Sequence, residues 1–122
     1  IEQIVKAIGV KHVSVINPNQ LKQVREVLDE YSALEEPSVI IAKYPCALKK
    51  LRLEEKQSFN IKPSKYVVDP SKCKKCRMCL KIGCPAISFN EETGSSIDEN
   101  QCIGCSVCSQ VCSFGAITKV GE

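Results

Sequence analysis

The sequence has no tryptophan, one histidine and only 5% aromatic residues among its 122 positions. Because aromatic side chains usually supply much of a protein core, a chain so poor in them needs another source of folding energy. No apolar run approaches the ~20 residues that cross a bilayer, and no signal-peptide pattern opens the sequence. We therefore expect a cytoplasmic protein with no membrane partner.

Negative charge is scarce in the middle of the sequence. The net charge is +3 at pH 7, but residues 43–81 sum to about +9 and residues 82–122 to about −4. A nucleic-acid interface would have aromatic residues interleaved with basic ones, and this block contains only three, so we expect no nucleic-acid partner. The basic block is expected to be either a solvated linker or a docking surface for an acidic protein.

The first 46 residues predict part of an α/β domain. After a short helix that ends at Gly9, the predicted elements are a strand at His12 to Ile16, a turn with an N-cap at Asn17 to Asn19, a helix from about Gln20 to Ser32, and a strand at Ser38 to Ala42 buried on both faces. Strand, helix and strand with short connections form a βαβ unit with parallel strands. Two parallel strands cannot cover their own faces, so we expect the sequence to be a fragment of a larger domain.

Cysteine is abundant, with nine residues of which eight fall between positions 73 and 112. A secreted disulfide scaffold would explain this density, but the number is odd and no signal peptide is apparent, which favours metal or redox chemistry. The ninth, Cys46, follows the second predicted strand and is expected to be a small buried hydrophobic residue. His12 is expected to be a strand residue without a functional role.

The eight cysteines form two groups, C-x2-C-x2-C-x4-C-P and C-x2-C-x2-C-x3-C-S. The first three positions of the first group recur in the second at a constant shift of 29 residues, and the pair Ala86-Ile87 recurs as Ala116-Ile117. Such self-similarity indicates a duplicated structural unit. Structural zinc would need only two C-x2-C pairs and would leave four cysteines unused, whereas two [4Fe-4S] clusters use all eight.

The two groups resemble those of bacterial two-cluster ferredoxins, in which the remote cysteine of each group binds the opposite cluster. The resemblance implies that cluster I is held by Cys73, Cys76, Cys79 and Cys112, and cluster II by Cys84, Cys102, Cys105 and Cys108. Two positions depart from the usual pattern: Cys84 follows four residues instead of three, and Ser113 stands where proline is usual. We expect Gly83 to absorb the extra residue, because glycine tolerates unusual backbone dihedrals.

These observations predict an α+β fold in three parts. Residues 1–46 are expected to be the βαβ fragment, residues 47–65 a basic linker, and residues 66–122 a ferredoxin-like 2[4Fe-4S] domain with two short β-hairpins and short helices. The strands of the last part are predicted at Tyr66 to Val68, Ile87 to Phe89, Ser96 to Asp98 and Ile117 to Lys119, with a hairpin turn at 91–94.

Residues 37–48 (PSVIIAKYPCAL), the basic linker and residues 79–87 (CLKIGCPAI) resemble the C-terminal end of the large subunit in the indolepyruvate:ferredoxin oxidoreductase family. The resemblance implies an enzyme that decarboxylates aryl 2-oxoacids with coenzyme A and sends electrons through its clusters to external ferredoxin. Thiamine diphosphate and Mg2+ are then expected only in an upstream part, and a smaller second subunit is expected as a partner. The fragment alone would transfer electrons and would contain no catalytic residue.

The alternatives are an iron-sulfur subunit of another redox complex and a two-cluster ferredoxin with an N-terminal extension. The predicted βαβ unit disfavours a free electron carrier, which has no use for an isolated pair of parallel strands.

Overall fold

The strands in the described part of the chain are short, and they form three sheets of two strands each. The structure, a computed structural model, describes residues 1–46 and 64–121. These two ranges belong to two separate units, and each is described by itself. None of the helices in them is long and apolar enough to cross a bilayer. Nearly all of the predicted linker lies outside the described residues, so the predicted domain boundaries stay predictions.

The first unit contains the predicted βαβ arrangement. Its elements are α1 (Glu2–Ala7), β1 (His12–Ile16), α2 (Leu21–Ser32) and β2 (Ser38–Ala42). The strands pair in parallel, with His12 opposite Ser38 and Ile16 opposite Ala42. The hydroxyl groups of Tyr31 and Ser14 are hydrogen-bonded at 2.6 Å and link α2 to β1. The prediction of parallel neighbouring strands is confirmed.

Three details of the first unit differ from the prediction. β2 is half-buried and not buried on both faces, because β1 is the only strand that pairs with it in the described part of the chain. Gln20 stands at the N-cap position of α2 without a side-chain capping hydrogen bond. The Asn17 side chain accepts a hydrogen bond from the Asn19 backbone N–H at 3.0 Å, within the turn. Cys46 is exposed, because it lies beyond the end of β2.

The second unit is built from two antiparallel strand pairs and two short helices. Its elements are β3 (Tyr66–Val68), a 3-10 helix (Met78–Ile82), β4 (Ile87–Asn90), β5 (Gly94–Ile97), α3 (Val107–Val111) and β6 (Ile117–Lys119). β4 and β5 form a hairpin, with Ile87 opposite Ile97. β3 pairs with β6, with Tyr66 opposite Lys119, so this pair joins the two ends of the unit. The predicted arrangement of two hairpins is therefore not confirmed, although all four predicted strands are present.

The core of this unit is small. Buried apolar residues from three strands, Val68, Ile87 and Ile117, pack with Ala116. The same cluster contains two buried cysteines, Cys79 from the 3-10 helix and Cys108 from α3. Cysteine thus supplies part of the core, and the packing fixes where these two sulfur atoms lie.

Candidate metal centre

The eight grouped cysteines line two separate pockets in the second unit. The first pocket is lined by Cys73, Cys76, Cys79 and Cys112, and the second by Cys84, Cys102, Cys105 and Cys108. The empty space is about 340 Å³ in the first and about 360 Å³ in the second, including the part open to solvent. Each pocket combines three cysteines of one group with the remote cysteine of the other. This partition is the one that the ferredoxin resemblance implied, and the ligand sets themselves stay predictions.

The chemistry of both pockets fits iron-sulfur clusters. No histidine or carboxylate from residues 1–46 or 64–121 lines either pocket, and thiolates are the ligands that such clusters take. Among the same residues, no three His, Cys, Asp or Glu side chains form a group that could hold a single metal ion. A cubane has a different requirement, because each of its four thiolates binds a different iron atom.

Residues in the left-handed backbone region flank the middle cysteine of each group. Lys75 and Arg77 have φ values of 54° and 60° around Cys76. At the shift of 29 residues, Gly104 and Ser106 have φ values of 73° and 66° around Cys105. The two loops therefore turn alike, and the sequence repeat is also a backbone repeat. Glycine is needed at one of these positions, since a Cβ atom on Gly104 would lie 2.0 Å from the Ser64 carbonyl oxygen.

Short helices carry the third cysteine of each group into the core. The 3-10 helix starts after Arg77 and buries Cys79, and α3 starts after Ser106 and buries Cys108. Gly83 ends the 3-10 helix in the left-handed region, with a φ of 70°. The prediction that Gly83 accommodates the additional residue before the fourth cysteine agrees with this conformation.

The thiols differ in their electrostatic surroundings. Hydrogen bonds from the backbone N–H groups of Ser95 and Lys75 lower the pKa of Cys73. Burial raises the pKa of Cys108 to about 11, and the charge of neighbouring Cys105 acts in the same direction. Because cluster ligands are thiolates, Cys108 must lose its proton when a metal cluster assembles.

Ser95 contacts the first pocket and was missed by the sequence analysis. Its hydroxyl oxygen lies 3.2 Å from the Cys79 sulfur atom. The predicted strand began at Ser96, whereas β5 runs from Gly94 to Ile97. The shift of 29 residues could have shown that this strand includes Ser95, because it relates Ser95 to Tyr66, the first residue of the strand predicted at Tyr66 to Val68.

Most of the cations around the first cysteine group have partners inside the chain. The ion pairs are Lys72–Asp69 at 3.5 Å and Arg77–Glu91 at 3.0 Å. Lys75 donates hydrogen bonds to the carbonyl oxygens of Glu91 at 2.9 Å and Glu92 at 2.6 Å. Lys74 and Lys81 pair with no carboxylate in the described ranges, so among the cations around the first cysteine group they are the ones available to a partner.

Comparison with known proteins identifies a matching family and several relatives of this chain. Residues 95–118 match the family described as "4Fe-4S binding domain". The whole chain is 37% identical to the indolepyruvate oxidoreductase subunit IorA of Pyrococcus horikoshii, and 37% identical to that of Methanothermobacter thermautotrophicus. It covers 19% and 18% of these relatives, so it spans less than a fifth of their length. Over 46% of the chain, it is 43% identical to the pyruvate synthase subunit PorD of Methanocaldococcus jannaschii, of which 66% is covered.

Proposed function

We propose that this chain, which matches the C-terminal portion of IorA subunits along its whole length, is the electron-transfer part of an indolepyruvate oxidoreductase. In this proposal the enzyme oxidatively decarboxylates aryl 2-oxoacids with coenzyme A and passes electrons to ferredoxin. The observation that carries the proposal is the pair of four-cysteine pockets in one small unit. Two [4Fe-4S] clusters bound there would supply one-electron transfer, with potentials in the range of about −700 to +450 mV known for such clusters.

The exchange of cysteines between the two groups and the basic residues near the first group both suit this role. Each pocket takes one cysteine from the opposite group, so filling the pockets would tie the two halves of the unit together and supply folding energy that the small core lacks. An oxidised cubane with four thiolates carries a formal charge of −2, so two of them would change the net charge from +3 to about −1. The basic residues near the first group partly offset that charge.

Thiamine diphosphate and Mg2+ belong, in this proposal, to an upstream part of the enzyme, which also has a smaller second subunit. The chain described here would transfer electrons without oxidising a 2-oxoacid by itself. Free thiols in this number suit a reducing compartment, and we place the enzyme in the cytoplasm.

A second candidate is an iron-sulfur subunit of another 2-oxoacid oxidoreductase. It is supported by the similarity to PorD, which is named as a pyruvate synthase subunit. That similarity covers less than half of the chain, whereas the match to IorA includes the βαβ unit as well. We therefore favour the indolepyruvate oxidoreductase.

We place the contact with an external ferredoxin at the first pocket, because charged residues line it and no charged residue of the described ranges lines the second. Cys76 is exposed, and two apolar residues of the same pocket, Met78 and Phe114, are 40% and 48% exposed. Lys74 lines this pocket as well. An apolar centre with charge beside it is typical of protein interfaces, and positive charge speeds the approach of an acidic partner. We name Lys74, Cys76, Met78 and Phe114 the docking face.

The cluster content of the chain tests the proposed function most directly. Anaerobic reconstitution with iron and sulfide is expected to give about eight Fe and about eight sulfide per chain, because each cubane contains four of each. Iron and labile sulfide are measured by colorimetric assay beside protein concentration. Stoichiometric zinc without labile sulfide would contradict the proposal.

A further inference from the structure

Among the described residues, Ser95 is the polar residue that is buried, with 8% of its surface exposed. It lies in β5 on the wall of the first pocket. Its hydroxyl oxygen is 3.2 Å from the sulfur of Cys79, which is also buried. A sulfur atom bound to iron carries no proton, so the hydroxyl group must be the donor in this contact when the pocket is filled.

The second pocket has a different residue at the related position. The shift of 29 residues relates Ser95 to Tyr66, which lines the second pocket. Within residues 64–121, the Tyr66 hydroxyl group makes no hydrogen bond to a cysteine sulfur. Ser106 also lines that pocket, and its hydroxyl oxygen accepts a hydrogen bond from the Gln110 side chain at 3.2 Å. A side-chain hydroxyl bonded to sulfur therefore distinguishes the first pocket from the second.

Backbone donors do not produce the same distinction. In the first pocket the Ala116 N–H donates to the Cys112 sulfur at 3.3 Å. In the second pocket, backbone N–H groups including that of Ser109 also reach Cys108. Backbone donors thus occur in both pockets, and in the first they include the Ser95 and Lys75 N–H groups at Cys73. The features found in the first pocket alone are the hydroxyl group of Ser95 and the charged residues.

Positive charge and the Ser95 hydroxyl group are both expected to raise the reduction potential of a cluster in the first pocket. Lys74 and Arg77 line the first pocket, whereas no charged residue of the described ranges lines the second. Reduction adds one negative charge to a cluster, and hydrogen-bond donors and positive charges stabilise the reduced form. Both features therefore favour an electron at the first pocket.

We propose that Ser95, by donating a hydrogen bond to Cys79, raises the reduction potential of a cluster in the first pocket above that of a cluster in the second. The inference rests on the proposed function, in which the oxidation of the 2-oxoacid supplies the electrons. Transfer of one electron between clusters bound in the two pockets would oxidise the one in the second and reduce the one in the first. Ser95 would thereby favour reduction of the cluster in the first pocket, which the residues of the docking face line.

The test is a potentiometric titration of the reconstituted full chain, followed by electron paramagnetic resonance. Ser95→Ala is expected to lower the potential of one cluster and to leave the other unchanged. A tenfold fall in the ratio of reduced to oxidised cluster at fixed ambient potential would correspond to a shift of ~59 mV for one electron. Cys76→Ser, which alters a residue of the first pocket alone, identifies the signal that belongs to that pocket.

Two further variants separate an electronic role from a structural one. Ser96→Ala is the matched control, because the exposed Ser96 hydroxyl bonds to Ser88 at 2.7 Å and not to a cysteine. It is expected to shift neither potential. Ser95→Thr retains a hydroxyl group and is expected to restore the potential of the first-pocket cluster. A purely structural role would reduce the iron content without moving the potential of the clusters that remain.

The outcomes also separate this inference from the proposed function. Two clusters with unchanged potentials in Ser95→Ala would overturn the inference and leave the function intact. Equal shifts of both clusters, or a first-pocket potential below that of the second in the unaltered chain, would also overturn it. A chain that binds no cubanes would overturn both.

Discussion

At Gly104 the backbone passes so close to Ser64 that no side chain fits. The position is left-handed, with a φ of 73°, and so is its counterpart Lys75 in the first cysteine group. Lys75 shows that a residue with a side chain can adopt this conformation in the loop. The specific need for glycine at 104 therefore comes from the Ser64 carbonyl oxygen, which a Cβ atom would approach to 2.0 Å.

Replacing Gly104 with alanine is expected to prevent stable filling of the second pocket. The left-handed conformation alone costs about 1–3 kcal/mol for a residue other than glycine, and the backbone contact adds to that cost. Reconstituted Gly104→Ala should hold about four Fe per chain where the unaltered chain holds about eight. The measurement is iron and sulfide content, followed by the rate of iron release to a chelator.

Gly83→Ala is the control for this substitution. Gly83 has a similar φ of 70°, but a Cβ atom there would meet nothing within 4 Å. This variant is expected to keep nearly the full iron content. Equal iron loss in both variants would show that backbone conformation, and not the contact with Ser64, makes glycine necessary at position 104.

At the scale of elements, α3 shows how one short helix serves both pockets. Cys108 lies inside the helix, whereas Cys112 follows its last residue, Val111, in an extended conformation with φ −77° and ψ 97°. Residues four positions apart lie on the same face of a continuous helix. Because the helix ends before Cys112, the two cysteines line different pockets.

Cys112→Ala is expected to damage the cluster of the first pocket, although Cys112 belongs to the second cysteine group. Electron paramagnetic resonance of the reduced, reconstituted chain should show the loss of one of the two cluster signals. The lost signal should be the one that Cys76→Ser alters. Cys46→Ala is the control, because the exposed Cys46 lies outside both groups and should leave both signals unchanged. Loss of the other signal in Cys112→Ala would show that the crossed assignment is wrong.

The elements also show what could be predicted from the sequence. The resemblance to two-cluster ferredoxins predicted which sulfur atoms share a pocket. Cysteine spacing predicted the repeat, which the two C-x2-C-x2-C loops also show in their backbone conformation. Apolar periodicity predicted the strands, but it could not show that β3 pairs with β6, since partners about 50 residues apart leave no local signal. Ser95 and Ser96 look alike in the sequence, and the structure distinguishes them, because Ser95 lines the first pocket whereas Ser96 is exposed and bonds to Ser88.

At the scale of the whole molecule, only some of the described basic side chains around the first cysteine group are available to attract a partner. The basic middle of the sequence suggested a broad docking surface, but Lys72, Lys75 and Arg77 have partners within the chain. Lys74 and Lys81 are exposed and pair with no carboxylate in the part of the chain that the structure describes. Among the described cations around the first cysteine group, they are therefore the residues at which a charge change should affect an incoming partner with little effect on the fold.

Reversal of these two charges is expected to slow electron transfer to an acidic ferredoxin. Lys74→Glu with Lys81→Glu should lower the second-order rate constant at low salt, because steering by opposite charges acts on the association rate. The difference from the unaltered chain should shrink as the Debye length falls from ~10 Å at 0.1 M to ~3 Å at 1 M ionic strength. Stopped-flow mixing of the reduced, reconstituted chain with oxidised ferredoxin across a salt series measures both effects.

The control for this last experiment is Lys11→Glu with Lys22→Glu, which changes the net charge equally but lies in the first unit. Both lysines form exposed ion pairs, with Glu36 and Glu26, and such pairs contribute little to stability. If net charge alone governed the reaction, both double variants would slow it to the same extent. A slower reaction only in Lys74→Glu with Lys81→Glu locates the encounter at the surface of the second unit that carries these two lysines. An unchanged rate constant and salt slope in that variant, with full iron content, would show that ferredoxin approaches elsewhere.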